Sequence, residues 1–269
     1  MGGSAPAPGT PAAVSHPARI RLAKWFSRRL PAPLVYRLLI RMSHIPGQDI
    51  FKAGFAAADP AKLALDIGAN RGIVSWLMSR RFAGVHAFEP NAGLCDFLAK
   101  VLPGNCVLHR CALSDAPGES ELAVALEGGV PIHGKGRILG APAEAGAFAT
   151  QKIRLETLDG QGLTGIGFIK IDVEGHEEKV LRGGMEILRR ERPVLVIEIE
   201  KRHTGRPVGE THRLIESLGY RGYFFRDGKR IPVSAYEERM QDPGYPAYIN
   251  DFLFLPAEPS ARGGRDGSL

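Results

Sequence analysis

Four short stretches carry side chains whose type and spacing suit chemistry. The first is Leu65-Asp66-Ile67-Gly68-Ala69-Asn70-Arg71-Gly72. Gly68 and Gly72 let the backbone turn tightly and approach a ligand with no side chain in the way. Asn70 is well suited among non-glycine residues to a left-handed conformation, so it can stand where another glycine would. Asp66, ending an apolar run, offers a carboxylate to a cationic or hydroxyl-bearing group in the crevice beyond a strand. The stretch is neither a G-x-G-x-x-G fingerprint nor a P-loop. Taken alone, it reads equally well as an ordinary glycine-rich strand–helix turn.

Glu89 follows Asp66 by about 20 residues, the separation at which an acidic side chain grips a ribose diol, and Pro90 fixes the turn behind it. Ala112-Leu113-Ser114-Asp115 ends a third apolar run and can accept a hydrogen bond from an exocyclic amine such as that of adenine. Polar groups at three consecutive strand ends outline a nucleoside pocket. The fourth stretch, Lys170-Ile171-Asp172-Val173-Glu174-Gly175-His176-Glu177, brings Asp172, Glu174, His176 and Glu177 into a loop at the mouth of the sheet. In extended backbone Asp172 and Glu174 point to one side. Close carboxylates push one pKa upward, which suits a general base that deprotonates an alcohol. The competing reading is an acidic cluster satisfying a helix N-terminus, which has more force for Glu178 than for Asp172. His176 reads as base or as a capping residue. Glu198, Glu200 and His203 make a candidate second wall, and His133 has no partner that the sequence identifies.

The elements that position these stretches alternate between apolar runs and helical periodicity. Strands are expected at Leu63–Ile67, Val85–Phe88, Cys106–Ala112, Ile166–Ile171, Val194–Ile199, Gly222–Phe225 and Ile249–Leu255. Helices are expected at Ile73–Arg81, Ala92–Val101, Glu177–Arg190 and Val208–Leu218. Continuous apolar strands separated by helices predict an α/β fold, a parallel sheet covered on both faces. The segment Ser114–Leu158 breaks the rhythm and reads as a β insertion (about 116–158; strands Ser120–Leu126 and Gln151–Leu155) around a Gly- and Ala-rich loop able to cover a site.

The chain has 269 residues, 44% of them apolar, long enough to bury one large α/β core. Its three cysteines, Cys95, Cys106 and Cys111, form neither a disulfide framework nor a zinc pattern, which points to a reducing cytoplasm. No apolar run approaches the roughly 20 residues that span a bilayer. The net charge of +6 is concentrated in residues 1–48, which hold Arg and Lys from Arg19 to Arg41 and no Asp or Glu. The remainder is close to neutral, so a nucleic-acid footprint is not expected. Residues 1–18 and 256–269 read as disordered tails, 19–48 as a basic amphipathic helical arm and 49–255 as the catalytic domain. The arm (19–43) has two readings: a helical hairpin packed on the domain, the commoner fate of amphipathic helices, or a foot on an anionic membrane surface.

Asp66–Gly72, Ala87-Phe88-Glu89-Pro90, Ala112–Asp115, Thr157-Leu158-Asp159, and Ile169–Leu181 followed by Arg182-Gly183-Gly184 resemble the FkbM family of methyltransferases. The resemblance runs from about Leu63 to Ile199, with Leu218-Gly219-Tyr220 beyond it. Ala92 departs from the family's Glu-Pro-x-Pro form. The resemblance implies a Rossmann-like class I fold of seven strands, the last antiparallel, using S-adenosylmethionine. It implies that Gly68, Asn70 and Gly72 line the methionine moiety and Asp66 anchors it. Glu89 would hold the ribose, and Ser114 with Asp115 would meet the adenine. Asp172, Glu174 and Glu177 match the family's acidic motif and are the catalytic candidates. The implied reaction is O-methylation of a sugar, lipid-linked glycan or polyketide-type acceptor. No metal is expected: Asp172 and Glu174 could hold a divalent cation, but no third ligand is identifiable. A nicotinamide-dependent oxidoreductase lacks its glycine fingerprint here, and a non-catalytic protein docking through the basic arm would leave the acidic motif dispensable.

Overall fold

The computed structural model describes residues 48–127, 130–138 and 148–258. Residues 1–18 and 259–269 of the expected tails, the arm up to residue 47, and residues 128–129 and 139–147 of the insertion lie outside the described residues, whereas Pro256, expected in the C-terminal tail, ends a strand. The elements run α1 (Gln48–Ala57), β1 (Leu63–Ile67), α2 (Ile73–Ser79), β2 (Gly84–Phe88), α3 (Ala92–Val101), β3 (Cys106–His109) and β4 (Ala112–Leu113). They continue with β5 (Gly118–Glu127), β6 (Val130–Ile138), β7 (Phe148–Glu156), β8 (Ile166–Ile171), α4 (Glu177–Arg182), α5 (Met185–Glu191) and β9 (Val194–Glu198). The last are α6 (Lys201–Thr204), α7 (Val208–Ser217), β10 (Tyr220–Arg226), β11 (Lys229–Pro232) and β12 (Asp251–Pro256).

The central sheet has the order β11-β10-β12-β9-β8-β1-β2-β3. β3, β2, β1, β8 and β9 are mutually parallel. β12 inserts antiparallel between β9 and β10, so the last strand is reversed as expected. The central strands are buried because helices cover both faces, and their side chains alternate between two cores. Leu65, Ile67, Ile169 and Ile171 pack with Val180, Leu188 and Ile215, whereas Ala64, Phe168 and Val196 pack with Ile50, Met78 and Phe82. Phe55 meets Phe168 edge-on at 5.1 Å, which fixes α1 on that second face. Each buried Leu, Ile, Val, Met or Phe among them contributes roughly 1.5–3 kcal/mol. Asp66 and Lys170 are register partners on adjacent parallel strands. They have the parity of Ala64 and Phe168, so both turn toward α2.

The structure differs from the expected elements at several places. The sheet has eight strands, not seven. Asp227 and Gly228, at φ of 52° and 71°, close a two-residue turn that pairs Arg226 with Lys229 and adds β11; two positive φ values suit an Asp-Gly hairpin turn. The strand expected over Cys106–Ala112 splits, because Ala112 and Leu113 leave the main sheet to pair with β7 in a second sheet, β4-β7-β5-β6. The helix expected over Glu177–Arg190 breaks at Gly183-Gly184. There a Cβ on Gly183 would stand 1.9 Å from the Ser114 carbonyl oxygen, so the backbones touch. The helix α1 and the strand β6 were not among the expected elements.

Candidate active site

The turn after β1 folds as its residue types require. Gly68, Asn70 and Gly72 have φ of 80°, 50° and 74°, so Asn70 does take the left-handed conformation. A Cβ on Gly68 would lie 1.9 Å from the backbone oxygen of Asp172, which presses this turn against the exit of β8. The Gly68 and Ala69 amides donate to the Phe88 carbonyl, each at 3.0 Å. Glu89 ties the turn to the end of β2: its Oε2 accepts from the Asn70 amide at 2.8 Å and its Oε1 from the Asn91 amide at 2.9 Å. Burial pushes its carboxyl up to about 7, against the pull of those two N–H groups.

A cleft opens here. Gly68, Asn70, Phe88, Glu89, Asn91 and Leu94 line it, together with Asp172, Val173 and Glu174. Cys111, Ala112, Leu113, Leu122 and Ile138 complete the wall.

β8 ends at Ile171, so Asp172 and Glu174 share the cleft through a loop, not through the extended backbone that the sequence suggested. Glu174 is left-handed at φ 53° and is followed by Gly175 at φ 99°. Its carboxyl is raised to about 7, first by burial and then by the charges of Asp172 and Glu200. His203 Nδ1 stands 3.0 Å from Glu174 Oε2, and its Nε2 lies 3.6 Å from Glu200 Oε2. The second wall read from the sequence is thus in contact with the acidic loop. Asn250 donates to Glu198 at 2.6 Å and to Glu200 at 2.8 Å. Burial raises Glu198 to about 9 and Asp251 to about 6.

Other candidates lie elsewhere than the sequence suggested. Glu177 is 3% exposed, and its Oε1 accepts from the amides of Val173 (3.2 Å) and Gly175 (3.0 Å), so it clamps the loop from within. Asp66 does not face the cleft. Strand parity turns it inward, where it is fully buried, accepts a 2.5 Å hydrogen bond from Ser75 Oγ and pairs with Lys170 Nζ at 3.3 Å. Gly72 caps α2, away from the residues lining the cleft. Ser114 is buried, with its Oγ 2.9 Å from His176 Nε2 and donating to Asp115 Oδ1 at 3.0 Å. At the expected adenine end it is Cys111, Ala112 and Leu113 that line the wall. His133 falls on β6, and its side chain lies outside the described residues. Lys170 had no role in the sequence reading. It donates to the Gly68 carbonyl at 2.7 Å and stands 3.4 Å from Asp172 Oδ2, joining the glycine turn to the acidic loop. Burial alone would lower its pKa; the charges of Asp66 and Asp172 prevail and raise it. A lysine inside an otherwise apolar buried strand was the signal for it.

The sequence matches the model of the methyltransferase FkbM domain over residues 66–225. The chain belongs to the FkbM methyltransferase family. Members of this family draw on S-adenosylmethionine. The chain is 28% identical over 151 residues to the hexuronic acid methyltransferase AglP of Haloferax volcanii, a match covering 51% of this chain and 55% of that protein. It therefore spans about half the length of the curated relative that it matches. Among solved structures it is similar to an FkbM methyltransferase from Methylobacillus flagellatus KT, at 14% identity and a TM-score of 0.47, covering 88% of this chain and 59% of that one. It is also similar to an rRNA methylase from Streptococcus thermophilus, at 10% identity and a TM-score of 0.46, covering 80% and 99%. Among the described residues no helix is long and apolar enough to cross a membrane.

Proposed function

We propose that this FkbM-family chain is an S-adenosylmethionine-dependent O-methyltransferase whose acceptor is the hydroxyl of a sugar, a lipid-linked glycan or a polyketide-type molecule. One observation carries the reading: a single cleft is lined both by Gly68, Asn70 and Glu89 and by Asp172 and Glu174. The residues fit the cofactor. Gly68 leaves backbone bare at the cleft wall, the Glu89 carboxylate suits a ribose diol, and Leu94, Ala112 and Leu113 offer apolar surface to a base. The cofactor supplies an electrophilic methyl carbon with a neutral thioether as its leaving group.

The chain's own work is alignment of acceptor and methyl group and removal of one proton. Glu174 takes the hydroxyl proton; a carboxyl near 7 holds it readily at neutral pH. Asp172, paired with Lys170, orients the acceptor, and Glu177 keeps the loop in shape. A sugar hydroxyl is favoured among acceptors because the similar AglP is named for a hexuronic acid. The test is a calorimetric titration with S-adenosylhomocysteine, with NADH as control. Micromolar binding that is lost in Glu89→Ala supports the assignment. Failure of the wild-type chain to bind S-adenosylhomocysteine overturns it.

A further inference from the structure

A second cleft lies beside the first and meets it at Glu174 and Ile138. Its walls are the loop and first turn of α4, the segment from Ile199 to Arg206, and the start of α7, with Asp115 among the lining residues. A molecule seated in it reaches the first cleft beside the carboxyl assigned the acceptor's proton.

The lining carries the carboxylates Asp115, Glu174, Glu177, Glu178 and Glu210 against the permanent cations Lys179, Arg182 and Arg206. Both arginines are engaged within the cleft. Arg182 and Arg206 each lie 2.7 Å from Glu178, and Arg206 also lies 2.5 Å from Glu210. His203 is engaged with Glu174 and His176 with Ser114. Among the described residues Lys179 is the one permanent lining cation outside these pairs, so an anionic ligand would meet a single ammonium, would have to displace the pairs to reach the arginines, and would face the surplus of carboxylates. Like charges brought together at an interface suppress binding. A hydroxyl-rich neutral ligand meets no such conflict. Carboxylates accept hydrogen bonds from O–H groups, and Ile138, Ile199 and Pro207 present apolar surface to the faces of a ring.

We infer that this second cleft is the acceptor site and that it selects an uncharged sugar-like polyol over an acidic sugar, in contrast to the hexuronic acid for which the similar AglP is named. The inference rests on the methyltransferase reading above and deepens it. The test uses the full chain saturated with S-adenosylhomocysteine and ligand-observed saturation-transfer NMR. The probes are methyl β-D-glucoside and methyl β-D-glucuronide, matched except for the charge. The glucoside is expected to bind about tenfold or more tightly than the glucuronide, a difference of about 1.4 kcal/mol. Glu210→Lys inverts a charge and removes one of the two carboxylate partners of Arg206, so glucuronide binding should rise by about tenfold while S-adenosylhomocysteine affinity stays unchanged. Equal or tighter binding of glucuronide to the wild-type chain overturns the inference. So does the absence of both sugars from a chain that binds S-adenosylhomocysteine. If S-adenosylhomocysteine itself does not bind, the underlying methyltransferase reading fails and this inference fails with it.

Discussion

Lys170→Met is the substitution that tests the architecture of the site most directly. The side chain is 8% exposed and its ammonium faces three oxygens: Gly68 O at 2.7 Å, Asp66 Oδ1 at 3.3 Å and Asp172 Oδ2 at 3.4 Å. Asp66 is fully buried, so removing the cation leaves its carboxylate with Ser75 as its remaining described hydrogen-bond donor. Breaking one side of a buried ion pair costs about 3–5 kcal/mol. Methionine keeps the apolar stem, so little of the loss comes from packing. Urea unfolding should therefore show a fall of that size at unchanged m. Asp66→Asn should cost less, because Lys170 retains Asp172 and Gly68. The double variant should recover at least about 1 kcal/mol relative to the sum of the singles, as contacting residues do. S-adenosylhomocysteine affinity should fall in Lys170→Met, because the glycine turn loses its tether to the acidic loop. A loss below about 1 kcal/mol, or strict additivity in the cycle, would refute the view that this ammonium holds the two loops together.

Three further outcomes are expected. Glu89, Glu174 and Glu177 have carboxyls raised to about 7 and Glu198 to about 9, so between pH 6.5 and 8 the folded chain holds protons that the unfolded chain has shed. Stability present at the acid end of that window is lost as pH rises through these values, even though His176 and His212, lowered to about 4, pull weakly the other way near pH 6.5. Melting temperature should therefore be lower at pH 8 than at pH 6.5, and a rise across the window would contradict the burial of these acids. Glu177→Ala should speed amide exchange at Val173 and Gly175, whereas Glu177→Gln, which keeps an acceptor, should not. Equal exchange in both variants would remove the clamp. Gly68→Ala, driven against the Asp172 backbone at φ 80°, should cost more than about 4 kcal/mol. Gly104→Ala, with nothing within 4 Å of the new Cβ, should stay within about 0.5 kcal/mol in the same melts.

How much of this could be read in the sequence depended on whether the cause was local. β1 and β8 have the expected ends because their apolar runs stop where the glycine turn and the acidic loop begin. α3 starts where expected because Asn91 caps it, accepting from the Leu94 amide at 3.1 Å. Asn70 was legible for the same reason: left-handed backbone is a property of one residue. The inward turn of Asp66 was less so. Its parity with Ala64 was visible, but the pairing with Lys170 depends on two strands that are distant in sequence being neighbours. The break at Gly183-Gly184 follows from contact with Ser114, which no helical period can announce. The Asp227-Gly228 hairpin, by contrast, carried a local turn signal that the sequence reading passed over.

That hairpin decides how the sheet ends. Without β11, the outer backbone groups of β10, in a strand containing Tyr223, Phe224 and Phe225, would be an open template for another chain. β11 occupies that template and offers a poor one in its place. It is four residues long, begins Lys229-Arg230 and finishes at Pro232, which has no N–H to donate. The Arg230 guanidinium lies 4.7 Å from the Tyr223 ring, holding positive charge over the aromatic surface beneath. The extra strand thus gives the protein colloidal protection: at this edge, sheets from neighbouring molecules meet charge and a missing donor, so the edge that the strand covers resists edge-to-edge aggregation.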